Sequence, residues 1–403
     1  MRRLLIVAGC AEFAALGLWL AWPGPHPHIR TAPRAPLPPL AATASLPRRT
    51  HEPAPAWPTY GYDNARDRVA RGIRLRPPFR RSWTFHGRAL LEFPPVVADG
   101  RVYVANFNGR FFALDARSGR TLWHFDSGRC GWASPAIAAS LVYIAFIGNY
   151  ECRSAARDGE LVAFDARSGR VRWLRRVGPT ESSPLVFGGR VYIGDWSGRV
   201  YAFAARTGRL AWTFSATGAV KGSLAQAGRA LFIGTYAGNI YAVDASDGRE
   251  LWSAGGGAFY STPAVAGGRV FIGSLDSDVY AYNAADGRRL WSASTDGYVY
   301  ASPAVWDGLV LLGSYDDTFY ALAARTGAVR WRFHVGAPIS GAASVVDGVV
   351  YFSSFDEHTY ALAARTGRKL AEWADGKYSP VVADRRHLYL VGLGRVYALV
   401  PRS

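Results

Sequence analysis

One pattern governs most of this chain. A small residue, a polar turn ending in Gly, three further residues and then Trp recur as Ala116-Arg117-Ser118-Gly119 before Trp123, Ala166-Arg167-Ser168-Gly169 before Trp173 and Ala205-Arg206-Thr207-Gly208 before Trp212. The series continues through Trp252, Trp291 and Trp331, at spacings of 50, 39, 40, 39 and 40 residues. Trp83 stands 40 residues before the first. A last copy, Ala364-Arg365-Thr366-Gly367, puts Ala371 at the Trp position, with Trp373 two residues on and hence on the same strand face. A fixed period of this length means that each unit buries its apolar face against copies of itself, which overrides any domain count drawn from the 403-residue length.

Each period divides into four short strands. In the third full copy these are Pro184–Phe187, Arg190–Gly194, Arg199–Ala204 and Arg209–Phe214, separated by Gly188-Gly189, Asp195-Trp196-Ser197-Gly198 and Thr207-Gly208. Alternating β-branched and aromatic residues bounded by Gly and Asp turns are the hairpin signal. Four antiparallel strands repeated radially make a propeller blade. The ends fix the count. Ser379–Ala383, His387–Val391 and Arg395–Val400 supply three strands, and the missing fourth stands at Arg81–Phe85, ahead of the first full repeat. Residues 57–80, with six Arg and three Pro, supply no three strands to accompany it. The sequence therefore predicts an all-β, eight-bladed β-propeller over residues 57–403, its last blade closed by the N-terminal strand so that no sheet edge is left open.

Ahead of the propeller, Arg2-Arg3 precede a run from Leu4 to Trp22 broken only by Glu12. Nineteen residues at about 1.5 Å each nearly span a bilayer core, and the two Arg favour the cytoplasmic side. Residues 1–22 are read as a signal-anchor, a single transmembrane helix that exports the rest. Cleavage and lipidation at Cys10, within Val7-Ala8-Gly9-Cys10, stand beside that reading, although Ala42-Thr43-Ala44, which has the shape of a cleavage site, lies some twenty residues too far on. Between Pro23 and Pro58 there are 11 prolines in 36 residues, the composition of an extended, disordered linker over 23–56. The expected location is membrane-anchored with the propeller outside the cytoplasm.

A net charge of +17 invites a nucleic-acid reading. It weakens on inspection, because residues 1–82 hold 13 Arg against 4 acidic residues and so account for +9. The remaining charge is spread thinly over the repeats, and no nucleic-acid partner is expected.

Ala-x-Asp-x-x-Ser-Gly-x-x-x-Trp, as in Ala113–Trp123 and Ala163–Trp173, resembles the repeat of the pyrroloquinoline-quinone propeller family. Trp57-Pro58-Thr59-Tyr60-Gly61-Tyr62-Asp63 is similar to the lead-in of that family. The family includes quinoprotein dehydrogenases and also non-catalytic outer-membrane-assembly-type propellers. The resemblance therefore implies the fold firmly and leaves activity open. The repeat residues have packing work: Trp docks between blades, Gly makes the turn, and the turn Asp accepts backbone N–H groups.

Chemistry is expected where the blades disagree. The loop entering each blade and the loop between its second and third strands must open on one face, the Thr-Gly turns on the other. The innermost strand commonly opens with Ser/Thr-Pro, as at Ser134-Pro135, Ser183-Pro184, Thr262-Pro263, Ser302-Pro303 and Ser379-Pro380. Two residues before this position stand Glu92, Trp132, Glu181, Lys221, Tyr260, Tyr300, Ser340 and Lys377 in turn. This variable ring at the channel mouth is the candidate binding surface. The alternative reading, a membrane-bound dehydrogenase with pyrroloquinoline quinone and calcium, would use Glu92 and Glu181 as oxygen ligands and Trp132, Tyr260 and Tyr300 as stacking partners. The family's adjacent Cys pair and a cytochrome Cys-x-x-Cys-His are absent from the sequence. No catalytic or metal-ligating residue is assigned and no cofactor is expected. His124 and His334 are read as structural, and Asp276, Asp316 and Asp356 as turn formers.

The 50-residue spacing places an insertion near Asn149–Gly159, between the second and third strands of blade two. It carries Cys152, on the same face as Cys130 in that blade's entry loop, and an exported chain favours a Cys130–Cys152 disulfide. The reading is a monomeric, non-catalytic binding or scaffold propeller. Its partner is an envelope or membrane protein, or alternatively an envelope polysaccharide.

Overall fold

The computed structural model describes residues 57–148, 158–379 and 381–402. The expected N-terminal helix, the Pro-rich linker and Cys152 lie outside the described residues. Among the described residues every regular element is a strand, and none is a helix long and apolar enough to cross a membrane.

The strands form eight sheets arranged as the blades of a ring. Blade three consists of Leu185–Phe187, Arg190–Gly194, Arg199–Ala204 and Leu210–Ser215, each paired antiparallel with the next. Blade eight is closed as its sequence requires: Phe79–His86 pairs antiparallel with Arg395–Pro401, which pairs with Leu388–Val391 and then Val382–Ala383. Alternate side chains of the inner three strands pack into the seams between blades, where Val, Ile, Phe and Tyr are almost wholly buried.

The repeat residues hold these seams. Each Trp indole N–H of blades eight and one to six donates to the carbonyl of the small residue opening the next blade's turn, from Trp83 to Ala116 through Trp331 to Ala364, at 2.8–3.2 Å. The ring then lies on the turn glycine. A Cβ on Gly248 would sit 2.6 Å from the Trp212 ring, and φ there is +80°, so glycine is required twice over. The turn aspartates behave as expected: Asp115 Oδ1 accepts Arg117 N at 3.1 Å and Ser118 N at 2.8 Å.

Blade seven explains its own exception. In blade eight the two outer strands come from opposite ends of the propeller sequence, so no Thr-Gly turn stands there for a Trp to meet. Ala371 occupies the Trp position, and Trp373 instead packs against Phe79 and Tyr351, with ring centroids 6.3 Å from each. A cavity of about 460 Å³ remains at this seam, lined by Arg76, Pro77, Phe79, Ala371, Trp373 and Arg402 among others.

Residues 57–70 do something that their sequence did not announce. Trp57 exchanges backbone hydrogen bonds with Val97, Pro58 O accepts Ile137 N, and Asn64 O accepts Gln226 N. Ala65, Asp67 and Arg68 then accept from Val265, Val305 and Val345 in turn, at 2.8–2.9 Å. Asn64 Nδ2 donates to Val186 O at 3.0 Å. These acceptors and donors are the free edges of the innermost strands of blades one to seven. Val69–Ala70 even adds a short parallel strand to blade seven. The lead-in thus winds around the inside of the ring and fills the channel below its mouth.

Candidate functional site

Entry loops and second-to-third-strand turns meet on one face, held by backbone bonds from Trp196 N to Pro179 O (2.8 Å), Tyr315 N to Tyr298 O (2.9 Å) and Phe355 N to Pro338 O (3.0 Å). The opposite end of the channel is occupied by the lead-in. The result is a blind cup. Its wall is tightened by the Ser/Thr residues that open the inner strands. The N–H of Ser134, Ser183, Ser223 and Thr262 each donates to the side-chain oxygen of the next blade's Ser183, Ser223, Thr262 and Ser302, at 2.8–3.0 Å. That belt is what the Ser/Thr-Pro recurrence encodes.

The eight ring residues stand above the belt. Glu92, Lys221, Tyr260, Tyr300, Ser340 and Lys377 are partly exposed, Glu181 is buried at 9% exposure and Trp132 at 8%. Glu181, Lys221, Tyr260 and Tyr300 form one group. The Tyr260 hydroxyl donates to Glu181 Oε2, Lys221 Nζ lies 3.4 Å from Glu181 Oε1, and the Tyr260 and Tyr300 ring centroids are 5.2 Å apart. Glu92 faces this group from blade one. Burial and then the Glu181 charge raise its carboxyl from 4.5 to about 7. Burial, followed by the carboxylates of Glu181 and Glu92, pushes the Tyr260 hydroxyl well above its ordinary 10. Burial pulls the Lys221 ammonium down against the opposing pull of Glu181. Two carboxyls and one ammonium therefore share a partly desolvated site in which protonation of Glu92 is poised near neutrality.

Sequence reasoning missed a second tier. The second residue after the second strand is aromatic in five blades: Phe107, Trp196, Tyr236, Tyr315 and Phe355. These rings interleave with the ring residues. Trp132 packs between Phe107 at 5.7 Å and Trp196 at 6.4 Å, while Lys221 Nζ stands 3.2 Å above the Trp196 ring. On the other side Tyr300, Tyr315, Phe355 and Tyr378 follow one another at 4.8, 5.7 and 5.4 Å, with Lys377 Nζ 4.8 Å from the Phe355 centroid. Tyr236 and Tyr298 remain 40% and 50% exposed. The signal was available: an aromatic side chain contributes nothing to a tight turn, so its recurrence there points to a second surface.

Cys130 is fully buried against Trp132 and Ile147; its expected disulfide partner, Cys152, lies outside the described residues. The base of the blade-two insertion is pinned by Arg129, which makes paired bonds to Asp158 at 3.0 and 3.1 Å and reaches Glu160 at 3.0 Å. Asp276, Asp316 and Asp356 are turn formers, each accepting a backbone N–H at 3.0–3.1 Å and the hydroxyl of Tyr280, Tyr320 or Tyr360. Calcium takes about six to eight oxygen ligands. The cup offers Glu92, half-protonated near neutrality, and Glu181, already engaged by Tyr260 and Lys221. No group of three or more His, Cys, Asp or Glu that could hold a metal gathers among the described residues. This donor set does not fit a calcium–quinone pair.

Among known proteins, the chain is 28% identical over 188 residues to a quinohemoprotein alcohol dehydrogenase of Comamonas testosteroni, covering 39% of this chain and 25% of that protein. It is 32% identical over 124 residues to the outer membrane protein assembly factor BamB of Burkholderia pseudomallei, 30% of each chain. The matches thus span a third or less of these relatives. The crystal structure of BamB from Moraxella catarrhalis superposes with a TM-score of 0.68 at 17% identity, covering 80% of this chain and 99% of that one. The Comamonas dehydrogenase structure gives 0.71 at 16% identity, covering 87% and 81%. At such identity these structures establish the fold alone. The sequence family described as outer membrane protein assembly factor BamB matches residues 80–254 and 196–403, which together take in all eight blades, and this chain belongs to that family of pyrroloquinoline-quinone-type propellers.

Proposed function

We propose that this chain is a non-catalytic binding propeller, held outside the cytoplasm by its N-terminal segment, whose cup mouth engages an envelope or membrane protein partner. The observation that carries the reading is the contrast within each blade. Residues that join blade to blade repeat almost without change, while the mouth presents Glu92, Trp132, Glu181, Lys221, Tyr260, Tyr300, Ser340 and Lys377, of which Trp132, Lys221, Tyr260, Tyr300 and Lys377 stand against aromatic rings. Aromatic and charged residues in a partly desolvated concavity are where interface energy concentrates. Kinship with BamB of Burkholderia pseudomallei supports a protein partner over a small substrate.

Kinship with the Comamonas dehydrogenase supports the enzyme reading, in which Glu92 or Glu181 would serve quinone chemistry. One set of proteins separates the two. Full-length chain extracted from membranes in detergent should recover a discrete partner, and the double variant Tyr260→Ala, Tyr300→Ala should lose it. Quinone- and calcium-dependent reduction of a dye by the wild type, abolished by Glu181→Gln, would overturn the binding reading.

A further inference from the structure

At the seam between blades seven and eight the repeat withholds its own side chain. Ala371 stands opposite Ala361, as Trp331 stands opposite Ala321 and Trp291 opposite Ala281, so Ala371 holds the register of the docking indole. Neighbouring side chains do not take up the space. The cavity of about 460 Å³ that remains falls within the range of roughly 300–1,000 Å³ typical of small-molecule sites. Phe79, Leu370, Ala371 and Trp373 give it an apolar wall. Phe79 and Trp373 already contact each other at a ring-centroid distance of 6.3 Å, so a further ring entering here meets aromatic partners.

The polar character of this seam is the reverse of the others. Elsewhere a backbone carbonyl receives the indole N–H, as Ala364 O receives Trp331. Here Pro78 O and Phe79 O are both taken by Arg402, through its backbone N at 2.9 Å and its Nε at 3.1 Å. The cavity is lined instead by donors. Arg76 is held by Nε on Asp347 O and Oδ2, each at 3.0 Å, and Arg402 by Nε on Phe79 O. The terminal nitrogens of both guanidiniums make no hydrogen bond or ion pair among the described residues. Glu372 also lines the cavity, but its carboxylate is engaged by Lys369 Nζ at 2.8 Å. A guanidinium with free terminal N–H groups matches the two oxygens of a carboxylate. A donor-bearing side chain such as a partner's indole would find no free carbonyl at Pro78 or Phe79, whereas an acceptor-bearing ring finds two cations.

We propose that this seam is a pocket for a small aromatic carboxylate, its ring in the place of the missing indole and its carboxylate on Arg76 and Arg402. The pocket shares no residue with the mouth, and it stands whether or not the mouth binds a protein partner.

The probe is indole-3-acetate, measured by equilibrium dialysis against the full chain in detergent and corrected for uptake by empty micelles. Uptake should saturate at one site per chain. Acetate and indole, the two halves of the probe, should each bind about tenfold or more weakly. Ala371→Trp restores the repeat side chain and fills the cavity. It should abolish uptake while melting no lower than wild type. The double variant Arg76→Gln, Arg402→Gln should weaken indole-3-acetate about tenfold or more and leave the affinity for indole unchanged. Absence of saturable uptake by the wild type overturns the proposal. Undiminished uptake by Ala371→Trp puts the ligand elsewhere and overturns it equally, and so does equal affinity of the wild type for indole and indole-3-acetate. Should Ala371→Trp fail to fold, the arginine pair decides, since undiminished uptake by that variant leaves the carboxylate without its site.

Discussion

The seams between blades and the mouth of the cup are built from the same strands, yet one is uniform and the other changes residue type from blade to blade, save for the neighbours Tyr260 and Tyr300. At the seams, one indole, one carbonyl and one glycine recur seven times, from Trp83 on Gly119 to Trp331 on Gly367. At the mouth, equivalent positions carry two carboxylates, two lysines, two tyrosines, a tryptophan and a serine. Ring closure explains the first: eight blades close only if each meets its neighbour at the same angle, so packing residues are not free to differ. The mouth lies outside that constraint, so its residues can answer to something other than the fold. The exception at Ala371 supports the argument, because the Trp is missing at the one seam where no turn is present to receive it.

The largest effect tests closure itself. A chain lacking residues 1–56 should remain a soluble, cooperative propeller, whereas one lacking 1–90 loses the closing strand Phe79–His86 and the lead-in together. It should expose the edge at Arg395–Pro401 and aggregate. Equal solubility and melting of the two truncations would break the account of the seams. Next in size, Trp212→Ala should cost roughly 3–5 kcal/mol through the cavity it leaves, measured by denaturant midpoint. Trp373→Ala, at the seam without a docking turn, should cost clearly less. If the two cost the same, the special status of the seventh seam is lost.

The mouth should respond in the opposite sense. Trp132→Ala, Lys221→Ala, Tyr260→Ala and Tyr300→Ala should lower partner recovery about tenfold or more, with Lys221 and Tyr300 variants melting close to wild type. Trp132→Ala is the least clean of these, since its ring is 8% exposed and props Phe107 and Trp196. Arg206→Glu and Arg325→Glu, on the opposite face, should change nothing. Normal recovery by the mouth variants, with loss in the Arg variants, would put the functional surface on the wrong side of this comparison.

How far the sequence could be read follows the same division. Seam residues were legible because a packing demand repeated at fixed spacing leaves a periodic trace, and strand ranges such as Arg190–Gly194 and Arg199–Ala204 agree with the structure. The mouth was legible as a gap in that trace, which located Glu92 and Glu181 without saying that they face each other across blades. The lead-in was not legible. Its bonds to Val97, Ile137, Gln226, Val265, Val305 and Val345 are made by backbone atoms, which impose no residue type, and so Arg66 and Arg68 entered the sequence reading only as part of a count of arginines.

The smallest effect is the most specific to the mouth. Glu92 is raised from 4.5 to about 7 by burial and by Glu181, with Tyr260 and Lys221 facing the same group. A carboxyl whose pKa is higher in the folded state binds a proton that the unfolded chain has already released. Within that window the native state holds more protons, so stability falls as pH rises from about 4.5 to about 7 and then levels off. The informative quantity is the difference between wild type and Glu92→Gln, which cancels every other titration. Glutamine keeps the shape and cannot ionise. Melted side by side, the two proteins should have closely similar stability at pH 5, and the variant should be the more stable at pH 8. Glu181→Gln should shift the wild-type fall to higher stability at pH 8 by relieving one of its causes, while Glu250→Gln, on the exposed outer strand of blade four, should leave it in place. A wild-type curve parallel to that of Glu92→Gln from pH 5 to 8 would mean that the two carboxyls are solvated independently. The mouth would then be a ring of unrelated surface residues rather than a coupled site.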